Sequence, residues 1–206
     1  MALQMGFRTA EFLISEDPGL RSRDVVSVVG GVAPGLPAGR LLGKITAGAA
    51  TAAAQAGNTG NATSSAVTTG VNVQPGVYKV EFLSATRFVV FAPDGALVGD
   101  GATGTAFSAG GHLTFTITAG VTAMVAGDGF NITVAAGNGT YVGWAENLTN
   151  GAAKIAGILY APQIGTAPAT IIARDAVVNY AHLTHSGGKD NVIAGLLALG
   201  IVTREE

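Results

Sequence analysis

The chain contains no cysteine. That excludes a disulfide framework and any thiolate metal site, and it suits synthesis in a reducing cytoplasm. Charge is also scarce: 12% of the 206 residues are Asp, Glu, Lys or Arg, about half the usual share. Eleven basic residues against thirteen acidic ones leave a net charge of −2. The Lys and Arg residues form no cluster, so no nucleic-acid partner is expected. The longest apolar run, Val192–Val202, falls well short of the roughly 20 residues a bilayer span takes. Met1–Gly19 carries Arg8, Glu11, Glu16 and Asp17 and lacks the apolar stretch of a signal peptide. No membrane partner is expected either. The Asn-x-Ser/Thr triplets at Asn61, Asn131, Asn138 and Asn147 then read as chance in a Thr-rich chain.

Gly, Ala and Thr fill the place of charge, with 31 glycines. Abundant Thr, Val and Gly with few charges fits β-structure joined by many turns, and it excludes a disordered chain. Three regions differ in texture. In the first, Phe7, Phe12, Leu13 and Ile14 precede a Pro18-Gly19 turn, and strands are expected over Asp24–Val29 and Leu41–Thr46. Ala47–Ala56 is nearly pure Ala, Gly and Thr; it reads as helix or loop, and periodicity does not decide.

The second region is bounded by similar junctions, Gly57-Asn58-Thr59-Gly60 and Gly137-Asn138-Gly139-Thr140, of the small polar kind that an insertion needs. Between them the apolar period is two. Tyr78, Val80 and Phe82 alternate with polar residues, as do Leu113, Phe115 and Ile117, and Phe130, Ile132 and Val134. Each is a half-buried antiparallel strand by pattern. With Arg87–Phe91 they suggest a small sandwich or open barrel. In the third region Ala156–Tyr160 and Ala169–Arg174 read as buried strands. Val192, Ile193, Leu196, Leu197 and Leu199 read as a helix capped by Asp190 and stopped at Gly200. Gly195 inside it costs about 1 kcal/mol against Ala, tolerable where another backbone packs closely. Ile201–Thr203 leaves as a short strand.

Chemical motifs are weak. Gly99-Asp100-Gly101-Ala102-Thr103-Gly104 matches the dinucleotide-binding pattern, but a β pattern follows where a helix is required, so a β-turn is the better reading. His182 and His185 would need a helix and a third ligand to hold a metal; solvated loop histidines are expected. No nucleophile elbow or paired-carboxylate motif is present. Asp100 and Asp128 each sit in Gly-Asp-Gly, which is turn chemistry. No enzymatic activity, cofactor or metal is expected.

The ordered pieces Glu11-Phe12-Leu13-Ile14-Ser15-Glu16, Arg21-Ser22-Arg23-Asp24-Val25-Val26 and Pro37-Ala38-Gly39-Arg40-Leu41-Leu42-Gly43-Lys44-Ile45 resemble the lambda-type phage head decoration proteins. So do Asn150-Gly151, Ala156–Tyr160, Arg174–Val178 and Leu197–Val202 further on. The resemblance implies an α+β protein: a small mixed decoration domain, mostly β with one C-terminal helix, built from residues 1–56 and 139–206. Residues 57–138 would be an inserted all-β domain that compact members lack. It further implies a structural virion protein, made in the host cytoplasm, that cements the outer capsid surface as homotrimers at threefold positions. Its partners would be the major capsid protein and itself. The capsid contact would be an N-terminal arm, residues 1–23, carrying Phe7, Arg8, Glu11, Phe12, Leu13, Ile14, Arg21 and Arg23. The opposing expectation for these apolar residues is that they pack on the chain's own core. A second functional reading makes the inserted β-domain a module recognising a host glycan or protein; an exposed aromatic platform there would favour it, and the sequence does not place Tyr78 or Phe107 inside or out.

Overall fold

The computed structural model describes residues 8–205. Strands dominate. The chain opens with β1 (Leu13–Glu16), β2 (Arg23–Val29) and β3 (Leu41–Lys44). Then come β4 (Ala47–Ala54), β5 (Thr63–Ser64), β6 (Thr68–Thr69), β7 (Gly76–Phe82), β8 (Arg87–Phe91) and β9 (Leu97–Ala102). β10 (Ala106–Phe107), β11 (Leu113–Thr118), β12 (Gly129–Ala136), β13 (Tyr141–Gly143), β14 (Ile155–Leu159) and β15 (Thr166–Ile172) follow. The chain ends on β16 (Ala176–Asn179), helix α1 (Lys189–Leu197) and β17 (Ile201–Arg204). Two compact units result. The described residues of Met1–Ile45, Gly139–Leu148 and Ala152–Glu206 make the first, and Thr46–Asn138 with Thr149–Gly151 the second.

The first unit is built on a closed barrel in the order β13-β2-β15-β14-β3, sealed where β13 runs parallel to β2 and antiparallel to β3. Closure removes exposed edges. Val28, Leu42, Leu159 and Ile171 fill the inside. Gly43 on β3 has to be glycine: a Cβ there would lie 1.9 Å from the Ala152 carbonyl oxygen. A three-stranded sheet, β1-β16-β17, with β16 and β17 parallel, encloses a second core together with α1. Phe12, Leu41, Trp144, Ile158, Val178, Val192 and Leu196 meet there.

The helix is where the sequence placed it, but Asp190 is not its cap. Gly188 is the N-cap, and Asp190 lies in the first turn. Glu146, from the segment after β13, accepts from Gly188 N–H at 2.9 Å and from the Asn191 side chain at 2.8 Å. Those two donors hold its carboxyl below the usual range. Gly195 makes room for a side chain, not a backbone: a Cβ would sit 2.8 Å from the Ile155 methyl.

The second unit has a five-stranded antiparallel sheet, β4-β12-β7-β8-β9, and a smaller sheet in which β11 pairs with β10, β5 and β6. Tyr78, Phe82, Phe88, Phe107, Phe115 and Phe130 fill its core. Ring centroids lie 5.1 Å apart for Phe107–Phe115 and 5.6 Å for Phe82–Phe88, within the favourable range for aromatic pairs. Ala47–Ala54 is neither helix nor loop. As β4 it pairs with β12 from Ala47 to Ala54, where the ladder satisfies its backbone groups. The compact units therefore divide at Ile45/Thr46, ahead of the expected junction near Gly57.

Of the Gly99–Gly104 motif, Gly99–Ala102 is strand and the expected turn falls on Thr103 and Gly104. Its glycines serve packing: a Cβ on Gly101 would lie 2.5 Å from the Phe88 ring, and one on Gly99 2.7 Å from the Ala109 Cβ. Asp128, 4% exposed, accepts backbone N–H groups from Thr59 and Gly60 at 2.9 Å and from Val125 at 3.0 Å. These bonds hold its carboxyl below the ordinary range.

Candidate capsid-contact segment

The sequence points to residues 7–23 as the functional segment. Phe7 lies outside the described residues. Arg8 to Glu11 form a turn in which Glu11 N–H donates to the Arg8 carbonyl at 3.2 Å and Arg8 N–H to the Glu11 carboxylate at 2.8 Å. Ala10 N–H donates to the Tyr160 carbonyl at 3.0 Å, which ties the segment to the end of β14.

Phe12 is fully buried in the core between the three-stranded sheet and α1, and Leu13 packs against the same cluster. The Phe12 carbonyl accepts from Asn179 N–H at 2.8 Å, and β1 pairs antiparallel with β16, with an irregularity between Leu13 and Ser15. His182, expected as a solvated loop residue, is half-buried and places Nδ1 3.1 Å from the Glu11 carbonyl. His185 stands 3.0 Å from both the Tyr180 hydroxyl and the Gly187 carbonyl. From Ala10 on, the segment is therefore wired into its own unit. The reason is the burial of Phe12, which contributes about 1.5–3 kcal/mol.

The rest of the segment divides by direction. Arg8, Glu11, Ile14, Leu20 and Arg21 face solvent, with Ile14 40% and Leu20 60% exposed. Arg21 pairs with Asp17 at 2.6 Å. Arg23 instead faces its own unit. It holds Glu16 through two bonds of 2.8 and 2.6 Å and lies over the Tyr160 ring at 4.3 Å; the Glu16 contact raises its pKa further. Sequence reasoning passed over Ser22, which anchors the segment. It is fully buried, accepts from Asp17 N–H at 3.0 Å and donates to the Asp175 carbonyl at 2.6 Å. A lone Ser between two Arg residues gives no local sign of such a role.

β1 is an edge strand of its sheet. Beside it Ser15, Glu16, Asp17 and Pro18 face Val177 and Val202 across a shallow groove of about 320 Å³. The segment therefore offers a strand edge, two exposed aliphatic side chains and one paired arginine. It offers no convergent nucleophile, base or acid. Among the described residues no group of three or more His, Asp or Glu gathers as a metal site would require.

The segment therefore presents a strand edge and exposed side chains on a β-rich chain. The chain belongs to the family of the bacteriophage lambda head decoration protein D, whose sequence model matches residues 2–106. The family is a structural one of the phage head, and membership implies a place on the virion capsid. The match takes in β1 to β3 and runs on into the second unit as far as Ala106; the pieces of resemblance from Asn150 onward lie beyond it. No curated protein matches the chain. Among solved structures, FlgL of Xanthomonas campestris is 24% identical, covering 49% of this chain and 34% of that one, with a TM-score of 0.35. The flagellar hook junction protein FlgK of Burkholderia pseudomallei is 22% identical over 64% of this chain and 23% of that one, with a TM-score of 0.36. The chain thus spans about a third or less of each, and likenesses at these TM-scores carry no argument about fold or function.

Proposed function

We propose that this protein cements a phage capsid from outside, as a homotrimer at threefold positions, and performs no catalysis. Membership of the head decoration family carries this reading. A clamp on a pressurised shell needs many repeated, matched contacts and no chemistry, and three copies on one body turn modest contacts into high avidity. The contact lies on the first unit. Because Phe12 is committed to its own core, the capsid-facing groups are Ile14, Leu20, Arg8 and Arg21 together with the free edge of β1. A strand of the major capsid protein adds to that edge, and the arginines pair with its carboxylates.

The second unit is an insertion in this reading. In the first unit Ile45 N–H donates to the Thr140 carbonyl at 2.9 Å and Gly139 N–H to the Ile45 carbonyl at 3.1 Å. In the second, Gly137 N–H donates to the Thr46 carbonyl at 2.9 Å. The outgoing and returning chain thus run side by side, as an inserted domain requires. Tyr78 is fully buried and Phe107 is 3% exposed, so neither ring serves the glycan- or protein-binding alternative.

The test is co-sedimentation with undecorated expanded capsids. A variant combining Ile14→Asp, Leu20→Asp and Arg21→Asp should keep its fold by circular dichroism and lose at least tenfold in occupancy. Full occupancy by that variant would remove the segment from the interface. Mass photometry should give about three times 20.4 kDa; a stable dimer would overturn the threefold arrangement.

A further inference from the structure

Every Phe, Tyr and Trp of the second unit is buried except one. Phe91 sits on the outward face of the five-stranded sheet, half-buried, while Phe88 and Val90 on the same strand point into the core. Across the ladder Phe91 stands opposite Lys79 on β7 and opposite Leu97 on β9. Leu97 is 63% exposed and Val77 43%. Val77, Lys79, Glu81, Phe91, Ala92 and Pro93 line a groove of about 310 Å³, at the small end of the range for ligand sites.

The polar groups of the groove are as telling as its ring. Lys79 and Glu81 are both exposed, and among the described residues neither forms an ion pair. By contrast Arg87 and Asp100, on the same face of the next two strands, are paired with one another. Among its lining residues the groove therefore holds one cation and one anion outside any ion pair, with no net charge, beside an aromatic ring and the Val77 side chain. An anionic ligand would meet Glu81 and a cationic one Lys79, so charge favours neither. A peptide strand would need an open sheet edge, which lies elsewhere than on this face. A neutral ring with an apolar face and a rim of hydroxyls matches every group: its C–H face lies on Phe91, its hydroxyl oxygens accept from Lys79, and its hydroxyl hydrogens donate to Glu81.

We propose that this groove is a binding site for a neutral saccharide, recognised as a pyranose ring stacked on Phe91 and hydrogen-bonded by Lys79 and Glu81. The site goes beyond capsid decoration and uses none of its residues, so loss of one leaves the other standing.

Saturation-transfer NMR on the full chain tests it, with lactose, maltose and chitobiose as neutral probes and sialyllactose as the anionic control. At least one neutral disaccharide should receive saturation with millimolar affinity, and sialyllactose should bind no better. Phe91→Ala should weaken binding at least tenfold, and Lys79→Ala and Glu81→Ala at least threefold each. Leu83→Ala, at an exposed position outside the groove lining, should change nothing. Circular dichroism reports the fold of each variant, and Phe91→Leu keeps bulk while removing the ring should Phe91→Ala unfold. Silence from all three neutral probes would overturn the proposal, as would binding unchanged by loss of the Phe91 ring or binding of sialyllactose alone.

Discussion

The two units solve the same problem, closing β-sheets around a core, by different means. The second does it with aromatic bulk on strands of strict alternation: β7 and β11 each present three buried side chains at every other position. The first does it with aliphatic residues in a closed barrel of short strands, plus a second core capped by α1. An antiparallel sheet with one face in water needs only local pattern. A barrel sealed by a single parallel residue pair, Tyr141 with Val28, needs segments from opposite ends of the chain to meet. Apart from β4, the second unit's long strands are therefore written in local alternation, and the first unit's barrel is written in long-range register.

The strongest way to break this contrast is excision. Joining Ile45 to Gly139 should leave the first unit folded, with Trp144, 2% exposed, still emitting as a buried indole. Emission of a solvated tryptophan would show that the barrel depends on the second unit. Next in size is Phe88→Ala, which opens the aromatic core and should cost about 3–5 kcal/mol. Because Trp144 is the chain's one tryptophan and belongs to the first unit, thermal melts followed by far-UV dichroism should show an earlier transition while the fluorescence melt stays in place. Equal movement of both curves would mean that the units unfold as one.

A pH experiment sharpens the contrast further. Asp128 titrates below its ordinary range because three backbone N–H groups bond its charged form. Its contribution is therefore fully present above the unfolded value of about 4 and fades as pH falls toward the lower folded value. Asp128→Asn should flatten the acid limb of the second unit's stability and leave the Trp144 transition untouched. The smallest effect is expected from Arg23→Ala in the first unit. Losing the Glu16 pair and the Tyr160 contact should cost about 1 kcal/mol by denaturant melts read at Trp144. A loss of several kcal/mol would make that pair part of the core's support.

The sequence by itself determined much of the strand inventory: alternation located β7, β11 and β12, and spacing located α1, because each of these buries one face against neighbours through short-range periodicity. It also carried the family, through ordered pieces around Phe12, Arg40 and Leu41 that the family match covers. What only the tertiary structure decided is which way ambiguous residues turn. Ala47–Ala54 has no apolar period of its own and became strand because β12 offered an edge to pair with. Gly99 and Gly101 read as a turn until the rings and methyls of other strands required their missing side chains. Phe12 reads equally as an arm residue or a core residue. A core shared with Leu41, Trp144 and Val192 turned it inward, and no local pattern encodes a core in which Trp144 and Val192 lie more than a hundred residues away.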